Sequence, residues 1–308
     1  MFEDYQSRKS DNTLRRHQTD LARFAEFLAQ AGLAAGDLLH DPGAWEGITW
    51  GIVEAFRNWM TQQGDAVNSI NARLSTVRTY AKLAAKAGVI SDHEHALIRT
   101  VSGYSSKEGR RIDERRDQAR RGAKKAAAVR VTDEQAKGLK TQPDTPQGRR
   151  DALLMCLLLD HGLRVGEVAG LKVSDLDLKT GMMTLYRPKV DLLQTHKLTA
   201  DTLRAAHAYF DARNIPEQPD APLLCASRKG GALTDAGMSE RAITQRVKVL
   251  GEAAGIDGLS AHDCRHYWAT YWAGKVNPFQ LKQAGGWASM TTVDRYVEAS
   301  QIANEGMA

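Results

Sequence analysis

The stretch Thr291-Thr292-Val293-Asp294-Arg295-Tyr296, near the end of this 308-residue chain, limits the possible folds and reactions more than any other stretch does. Its pattern is helical, and it presents a tyrosine, whose phenol can act as a covalent nucleophile. An isolated tyrosine in a helix is usually a core residue. Whether Tyr296 is a nucleophile or a core residue must therefore be judged from the residues that precede it.

Two stretches upstream of Tyr296 offer further polar groups. Ala284-Gly285-Gly286-Trp287 places an indole at a turn, where it can donate a hydrogen bond or stack. Ala261-His262-Asp263-Cys264-Arg265-His266 begins a predicted helix over about 262–273. His262 and Arg265 are three residues apart and share a face, so they can reach one anion together near a helix N-terminus. His266 is expected to pack or hydrogen-bond rather than react.

Two earlier stretches complete the set. In Leu163-Arg164-Val165-Gly166-Glu167 the arginine and the glutamate are three residues apart, and an arginine held by a carboxylate is ready to grip a phosphate. Lys189, in Arg187-Pro188-Lys189, follows a predicted strand. Two guanidiniums can clamp phosphate oxygens, while a lysine and a histidine can move protons. The residues together suit the breaking and rejoining of a phosphodiester without metal or nucleotide.

Composition excludes several classes of protein. The chain is 42% hydrophobic and long enough for two domains. No apolar run approaches the roughly 20 residues of a membrane span, and the first residues lack a signal-peptide core. The three cysteines are scattered and form no Cys-x-x-Cys, which argues against a disulfide framework or a zinc site. We expect a cytoplasmic protein with reduced thiols and no metal or other cofactor.

The net charge of +5 is concentrated in one segment. Residues 105–130 carry ten lysines and arginines against four acidic residues, whereas residues 1–104 have a net charge of −1 and residues 131–308 are neutral. A solvated linker would explain this segment, and so would a basic strap along a phosphate backbone. We predict the domain boundary here.

The first 104 residues have helical periodicity throughout. Predicted helices run from about Thr13 to Gly32, from Thr49 to Gly64 and from Asn68 to Gly88, and a short one follows Ser91-Asp92. Four helices with short connections make a small bundle. By itself the bundle names no function.

Residues 131–308 are predicted to be α+β. A capping box at Thr132 opens a helix, and a long apolar helix surrounds Leu153–Leu159. Strands are expected at 176–178, 182–186 and 195–198, the first two joined by a turn at Lys179-Thr180-Gly181. Later helices are expected at about 199–210, 238–254, 262–273, 278–284 and 291–299. The fold class is mostly α with a small antiparallel sheet.

Four of these stretches, in this order and spacing, closely resemble the tyrosine recombinase (phage integrase) family. Leu163–Glu167 is similar to the first arginine box of that family, and Ala261–His266 is similar to the second. Ala284–Trp287 and Thr292–Tyr296 resemble the third box and the nucleophile. The motifs lie within about residues 130–300, and the N-terminal bundle with its basic linker fits more loosely.

The resemblance implies a role for each matched residue. Tyr296 would attack the scissile phosphate and form a 3′-phosphotyrosyl link, and Arg164 and Arg265 would bind the non-bridging oxygens. Lys189 would protonate the leaving 5′-oxygen, and His262 would assist proton transfer at the tyrosine. The remaining two positions would be Trp287, where a second histidine is commoner, and Glu167, which would hold the geometry of the site.

The resemblance also implies partners and an architecture. The bundle and the catalytic domain would close on duplex DNA as a C-shaped clamp, and four protomers on two sites would exchange strands through a Holliday junction. The segment after Tyr296 could dock on a neighbouring subunit. Candidate DNA contacts are all basic: Arg73, Arg78, Arg110, Arg111, Arg115, Arg116, Arg120, Arg121, Lys124 and Lys125. We expect the protein with the nucleoid.

Three alternatives stay open at this point. The turn after the second strand lacks the glycine often seen beside the lysine, so Lys197 competes with Lys189 as general acid. A type IB topoisomerase would use the same chemistry without sequence-specific synapsis. A non-catalytic DNA-binding protein could retain the fold.

Overall fold

The structure, a computed structural model, describes residues 1–115, 128–212 and 218–300. The chain forms two compact units, residues 1–125 and 126–308. Their described parts are mostly helical with small antiparallel sheets, which confirms the predicted fold class.

The first unit is a helical bundle. Its helices, in chain order, are α1 (Phe2–Ser7), α2 (Asp11–Gln30), α3 (Trp50–Gln62), α4 (Val67–Lys86), α5 (Asp92–Thr100) and α6 (Ser106–Arg115). The helices α2 to α5 correspond to the four predicted from periodicity. Side-chain oxygens of Ser10, Thr49 and Ser91 cap α2, α3 and α5 by accepting backbone N–H groups of the first turn. The core of the unit is aromatic and includes Phe24, Trp45 and Phe56, all fully buried.

Two helices of the first unit were not predicted as separate elements. The helix α1 inserts Phe2 into the core, where its ring meets Tyr80 edge-on at 5.3 Å between centroids. The helix α6 lies at the start of the basic segment, where the sequence predicted no helix. Its Asp113 Oδ1 accepts the backbone N–H of Val67 at 3.3 Å, which attaches α6 to the start of α4.

The second unit is built around an apolar helix. In order it contains α7 (Asp133–Lys140), α8 (Pro146–Leu159), α9 (Val165–Gly170), α10 (Ala200–Asp211), α11 (Glu240–Ala253), α12 (Ala261–Ala273), α13 (Pro278–Gly285) and α14 (Met290–Ser300). The predicted apolar run, Leu153–Leu159, is the buried C-terminal half of α8. A second, smaller cluster joins α12, α13 and α14 through Trp268, Leu281 and Val293.

A three-stranded antiparallel sheet precedes α10. Its strands are β1 (Leu176–Asp177), β2 (Met182–Arg187) and β3 (Leu192–Lys197). The register pairs Arg187 with Leu192, so residues 188–191 form the turn of the hairpin. The third strand begins earlier than the predicted 195–198, because β3 pairs along the whole of β2 although Leu192 and Leu193 are exposed.

A second sheet was not predicted. The strands β4 (Cys225–Ser227) and β5 (Leu233–Gly237) pair antiparallel around a turn containing Gly230 and Gly231. They are too short, and β5 too exposed, to show the alternation that identifies a strand. The three cysteines of the chain are buried thiols without disulfides.

No helix in the described part of the chain has both the length and the apolar character to cross a membrane. Among the same described residues, no group of three or more His, Cys, Asp or Glu side chains could hold a metal ion.

Candidate active site

A cleft of about 740 Å³ in the second unit gathers the side chains predicted to be catalytic. Residues at the start of α9, on α12 and α14, in the loop between α13 and α14 and in the β2–β3 turn line it. The predicted residues among them are Arg164, Lys189, His262, Arg265, Trp287 and Tyr296. Glu167, predicted to support the site, lies directly behind Arg164.

Glu167 organises the first arginine. Arg164 is the N-cap residue of α9, and Glu167, on the first turn, accepts the Arg164 backbone N–H at 2.9 Å and its Nη1 at 2.7 Å. The other terminal nitrogen of Arg164, Nη2, donates to the Gly286 carbonyl at 3.2 Å. The guanidinium is thus held on two sides while its side chain stays 27% exposed at the cleft. The local i,i+3 spacing predicted the first of these contacts.

A second cation on Glu167 was missed by the sequence analysis. Arg187, at the end of β2, is fully buried, and its Nη1 donates to both Glu167 oxygens at 3.0 Å. One signal could have found it. Met183, Leu185 and Arg187 alternate along the strand, so Arg187 faces the protein interior with the two apolar side chains. An arginine at an inward position needs a partner, which here lies 20 residues away.

Arg265 is the most deeply placed of the predicted arginines. It is 3% exposed, and its Nη1 and Nη2 donate to the carbonyls of Gly162 and Gly285, both at 2.5 Å. Burial lowers the pKa of Arg265 to about 9, and the positive charge of Arg164 acts in the same direction. The group remains a cation at neutral pH and faces the Trp287 ring at 4.8 Å from its centroid.

Tyr296 lies beside the rings of Trp287 and His266. The Trp287 ring stacks on it with centroids 5.4 Å apart, and the His266 ring is 5.2 Å away. The Nε2 atoms of His266 and His262 are 3.0 Å apart, so one of the two must donate and the other accept. His266 therefore hydrogen-bonds within the cleft, as expected, and connects His262 to the neighbourhood of the tyrosine.

Asp263 fixes the helix that carries His262 and Arg265. Its Oδ2 accepts the backbone N–H of Ser260 at 2.8 Å and caps the start of α12. Its Oδ1 accepts the backbone N–H of Val129 at 2.9 Å. The carboxylate, 2% exposed, joins the beginning of the second unit to the first turn of α12.

The two candidate lysines of the hairpin lie in different places. Lys189 is exposed in the turn and lines the cleft with Tyr296. Lys197, at the other end of β3, lines a separate apolar cavity with Trp268 and Trp272. This placement favours Lys189 as the residue that acts in the cleft.

The predicted DNA contacts are partly described. Arg110, Arg111 and Arg115 are exposed on α6. Arg78 is half-buried on α4, and Arg73 pairs with the buried Asp65 at 3.0 Å. The remaining predicted contacts lie outside the described residues: Arg116, Arg120, Arg121, Lys124 and Lys125.

The charges in the cleft and directly behind it suit an anion. Three guanidiniums, those of Arg164, Arg187 and Arg265, surround the single carboxylate of Glu167, and Lys189 adds a further cation at the rim. A surplus of positive charge in a partly desolvated cleft binds a phosphate and stabilises the charge that develops on its oxygens. A phenol beside such a site can attack the phosphorus.

Family models match both units of the chain. One described as "Phage integrase family" matches residues 129–302, and one described as "Phage integrase SAM-like domain" matches residues 1–99. A protein named tyrosine recombinase XerC, from Methylobacterium nodulans (strain LMG 21967 / CNCM I-2342 / ORS 2060), is 27% identical over 302 residues, covering 94% of this chain and 84% of that protein. A tyrosine recombinase XerD from Neisseria meningitidis serogroup B (strain ATCC BAA-335 / MC58) is 29% identical over 184 residues, covering 58% of this chain and 60% of that protein.

Solved structures share the fold. The post-cleavage complex of XerH site-specific recombinase bound to a palindromic difH substrate superposes with a TM-score of 0.68 at 16% identity, covering 93% of this chain and 76% of that one. A lambda integrase dimer bound to a COC′ core site gives a TM-score of 0.64 at 17% identity, covering 96% and 92%. At these identities the likeness is one of fold.

Proposed function

This chain belongs to the phage integrase family, and we propose that it is a site-specific DNA recombinase that cuts and rejoins DNA through a 3′-phosphotyrosyl intermediate on Tyr296. The observation that carries the proposal is the cleft, in which a tyrosine, two predicted phosphate-binding arginines, a lysine and a histidine line one cavity.

The proposed step balances with these residues alone. The Tyr296 oxygen attacks the scissile phosphorus and loses its proton, which His262 receives directly or through its partner His266. The bond from phosphorus to the 5′-oxygen breaks, and Lys189 supplies the proton that makes this oxygen a hydroxyl. Arg164 and Arg265 hold the two non-bridging oxygens, where charge accumulates.

Rejoining is the reverse of the same step. The 5′-hydroxyl of another strand attacks the phosphotyrosine, Lys189 takes its proton, and Tyr296 leaves as a phenol. Because the phosphotyrosine retains the energy of the phosphodiester, no nucleotide is consumed. None of the groups that move protons here depends on a bound metal.

The proposal includes duplex DNA and further copies of the chain as partners. Exposed Arg110, Arg111 and Arg115 begin the basic segment that would follow the phosphate backbone, and the match to a SAM-like domain supports a DNA-binding role for the first unit. A lambda integrase tetramer bound to a Holliday junction has the same fold, with a TM-score of 0.64. By analogy we propose two units closing on DNA as a clamp, four protomers on two sites, and a cytoplasmic protein associated with the nucleoid.

The test is to trap the covalent intermediate. Purified wild-type protein is mixed, without metal or ATP, with nicked duplexes that carry a randomised central sequence, and the DNA in SDS-stable adducts is sequenced. We expect adducts enriched for an inverted-repeat site. Tyr296→Phe should bind the same DNA and form none, whereas Tyr271→Phe, a change at the exposed tyrosine of α12, should behave as wild type.

Other outcomes assign other functions. A Tyr296-dependent adduct without sequence enrichment would indicate topoisomerase-like relaxation of DNA. Intact DNA binding without any adduct would indicate a binding protein. An adduct that persists in Tyr296→Phe would show that the nucleophile is a different residue.

A further inference from the structure

Arg187 is a buried group behind the cleft, and the proposed reaction gives it no role. It is fully buried, and every nitrogen of its guanidinium donates to a hydrogen-bond acceptor. Nη1 contacts Glu167 and the Gly285 carbonyl, the latter at 3.2 Å, and Nη2 donates to the Ala284 carbonyl at 2.8 Å. Nε donates to Gln194 Oε1 at 2.5 Å.

These contacts join three parts of the site. Gln194 lies on β3, so the contact from Nε crosses the hairpin on which Lys189 is carried. Gln194 Nε2 in turn donates to the Gln283 carbonyl at 2.6 Å, beside the two carbonyls that Arg187 binds. The hairpin is thus fastened at two points to the C-terminal end of α13. The turn that follows, residues 188–191, is largely exposed and carries Lys189 two residues beyond Arg187.

The end of α13 is shaped to receive the Arg187 side chain. Gly286 has φ +57°, and a Cβ atom built on it would lie 2.4 Å from Arg187 Cδ. Glycine is therefore required at this position for two reasons: its backbone has a positive φ, and a side chain would collide with Arg187. The neighbouring Gly285 carbonyl accepts from Arg187 and from Arg265, and the Gly286 carbonyl accepts from Arg164. Arg187 and the two phosphate-binding arginines share one short stretch of backbone.

We propose that Arg187 is a positioning residue for the DNA cleavage step: by fastening the β2–β3 hairpin to Glu167 and to the end of α13, it holds the Lys189 ammonium where the 5′-oxygen leaves. The inference rests on the proposed function. Arg187 does not face the cleft and does not touch the phosphate. Its effect on the reaction passes through the protonation of the leaving group, which is a distinguishable part of the chemistry.

The discriminating probe is a DNA whose leaving group needs no proton. In a duplex with sulfur in place of the bridging 5′-oxygen at the cleavage site, a thiolate leaves, and its low basicity removes the need for a general acid. The substrate is the nicked duplex recovered by the adduct selection, made with oxygen and with sulfur at this position. Single-turnover adduct formation is then measured for wild type, Arg187→Lys and Lys189→Ala.

We expect Arg187→Lys to cleave the oxygen substrate about ten- to a hundredfold more slowly than wild type, a part of the roughly 10²–10⁴-fold that a positioned general acid supplies. A lysine keeps the charge but cannot reach Glu167, the two carbonyls and Gln194 at once. On the sulfur substrate its rate should return close to that of wild type, as for Lys189→Ala. Tyr296→Phe should remain inactive on both.

Arg150→Lys is the matched control. Arg150 is also a buried arginine of the second unit, with Asp151 and the Cys225 carbonyl as partners away from the cleft. This variant should lose stability without a difference between the two substrates. If Arg187→Lys does not fold, Gln194→Ala decides, since it removes one fastening of the hairpin at a half-buried position and should show a smaller defect that sulfur also corrects.

Two results would overturn the inference. Either the folded Arg187 variant cleaves the oxygen substrate as fast as wild type, or it is slowed equally on oxygen and sulfur. Failure of the proposed function looks different, because the wild type itself would then form no adduct, and the inference would fall with it.

Discussion

In the described part of the second unit, arginines gather around two buried carboxylates, and the two clusters differ in how their charges are balanced. In the first, Asp151, fully buried, accepts two hydrogen bonds from Arg150 on one oxygen and two from Arg246 on the other. In the second, Glu167 faces Arg164 and Arg187, and Arg265 lies close by. The Asp151 cluster joins α8 to α11, whereas the Glu167 cluster opens into the cleft with Tyr296.

The comparison distinguishes ion pairs that stabilise the fold from ion pairs that position arginines for binding an anion. The Asp151 carboxylate uses both oxygens on its two cations, and Arg246, at 26% exposure, keeps part of its hydration. The Glu167 cluster has one more guanidinium for the same single carboxylate, and the excess charge meets an open cavity. Uncompensated positive charge beside an open cavity destabilises the folded protein, and it is useful only where an anion binds there.

The largest expected effect is on stability at the Asp151 cluster. Asp151→Asn leaves Arg150 buried without a counter-charge, and breaking a buried pair in this way costs about 3–5 kcal/mol. Urea denaturation measures the loss in the free energy of unfolding. Molecules that remain folded should cleave DNA at the wild-type rate, because no atom of this cluster lines the cleft. A slowed reaction in the folded molecules would erase the distinction between the clusters.

The next effect is on the reaction at the Glu167 cluster. Arg164→Ala removes one donor to the phosphate oxygens, and single-turnover cleavage should fall about 10²–10³-fold, equivalent to roughly 2.7–4 kcal/mol. The melting temperature should change little, since the side chain already borders the open cleft.

Arg246→Ala is the matched control for Arg164→Ala, because the two side chains are 26% and 27% exposed. It should show the reverse result, with lower stability and an unchanged rate. Equal rate defects in both variants would contradict the assignment of Arg164 to phosphate binding.

A third prediction tests which lysine of the β2–β3 hairpin acts together with the Glu167 cluster. Lys189→Ala should reduce cleavage about 10²-fold through loss of the leaving-group proton, whereas Lys197→Ala should not. Both lysines are exposed, so neither change should affect folding much. Adduct formation on the selected duplex measures both. The reverse order of effects would move the general acid to Lys197.

The smallest effect is on pH dependence beside the Glu167 cluster. Burial lowers the pKa of His196 to about 4, and the nearby Arg187 charge acts in the same direction. Burial likewise lowers the pKa of His161 to about 3. Below a pH of about 6.5 these histidines become protonated in the unfolded chain but stay neutral in the folded protein. Their contribution to the free energy of unfolding is therefore complete above that pH and is lost as the pH falls toward 4.

Urea denaturation at pH 7 and pH 5 tests this expectation. Wild type should lose on the order of 1–2 kcal/mol for each of the two histidines between these values. His196→Gln should remove the contribution of one histidine and so flatten the pH dependence. An unchanged slope would mean that His196 is not held neutral beside Arg187.

The sequence predicted what is encoded locally. The i,i+3 spacing of Arg164 and Glu167 and of His262 and Arg265 placed each pair on one face, and the apolar run ending at Leu159 identified the central helix. The assembly of these pieces into one site came from the family resemblance, because their separation in the chain is far beyond any periodicity. The cleft brings the six proposed catalytic side chains together.

The contacts that sequence reasoning missed are those without a local pattern. Arg187 meets the end of α13 almost a hundred residues later, and Arg246 meets Asp151 across 95 residues. The sequence around Arg187 and around Arg246 gives no indication of which residue each arginine contacts. The sheet of β4 and β5 was missed for a different reason, since short exposed strands are defined by their pairing and carry almost no hydrophobic signal of their own.

The hydrogen bond between Asp263 and the Val129 backbone has a mechanical consequence. Val129 lies near the end of the basic segment, and Asp263 stands on the first turn of α12 beside His262. A displacement of the Val129 backbone would therefore be transmitted through this hydrogen bond to the helix that carries His262 and Arg265. The end of the basic segment, in addition to its charge, is thus anchored on the helix that carries two of the proposed catalytic side chains.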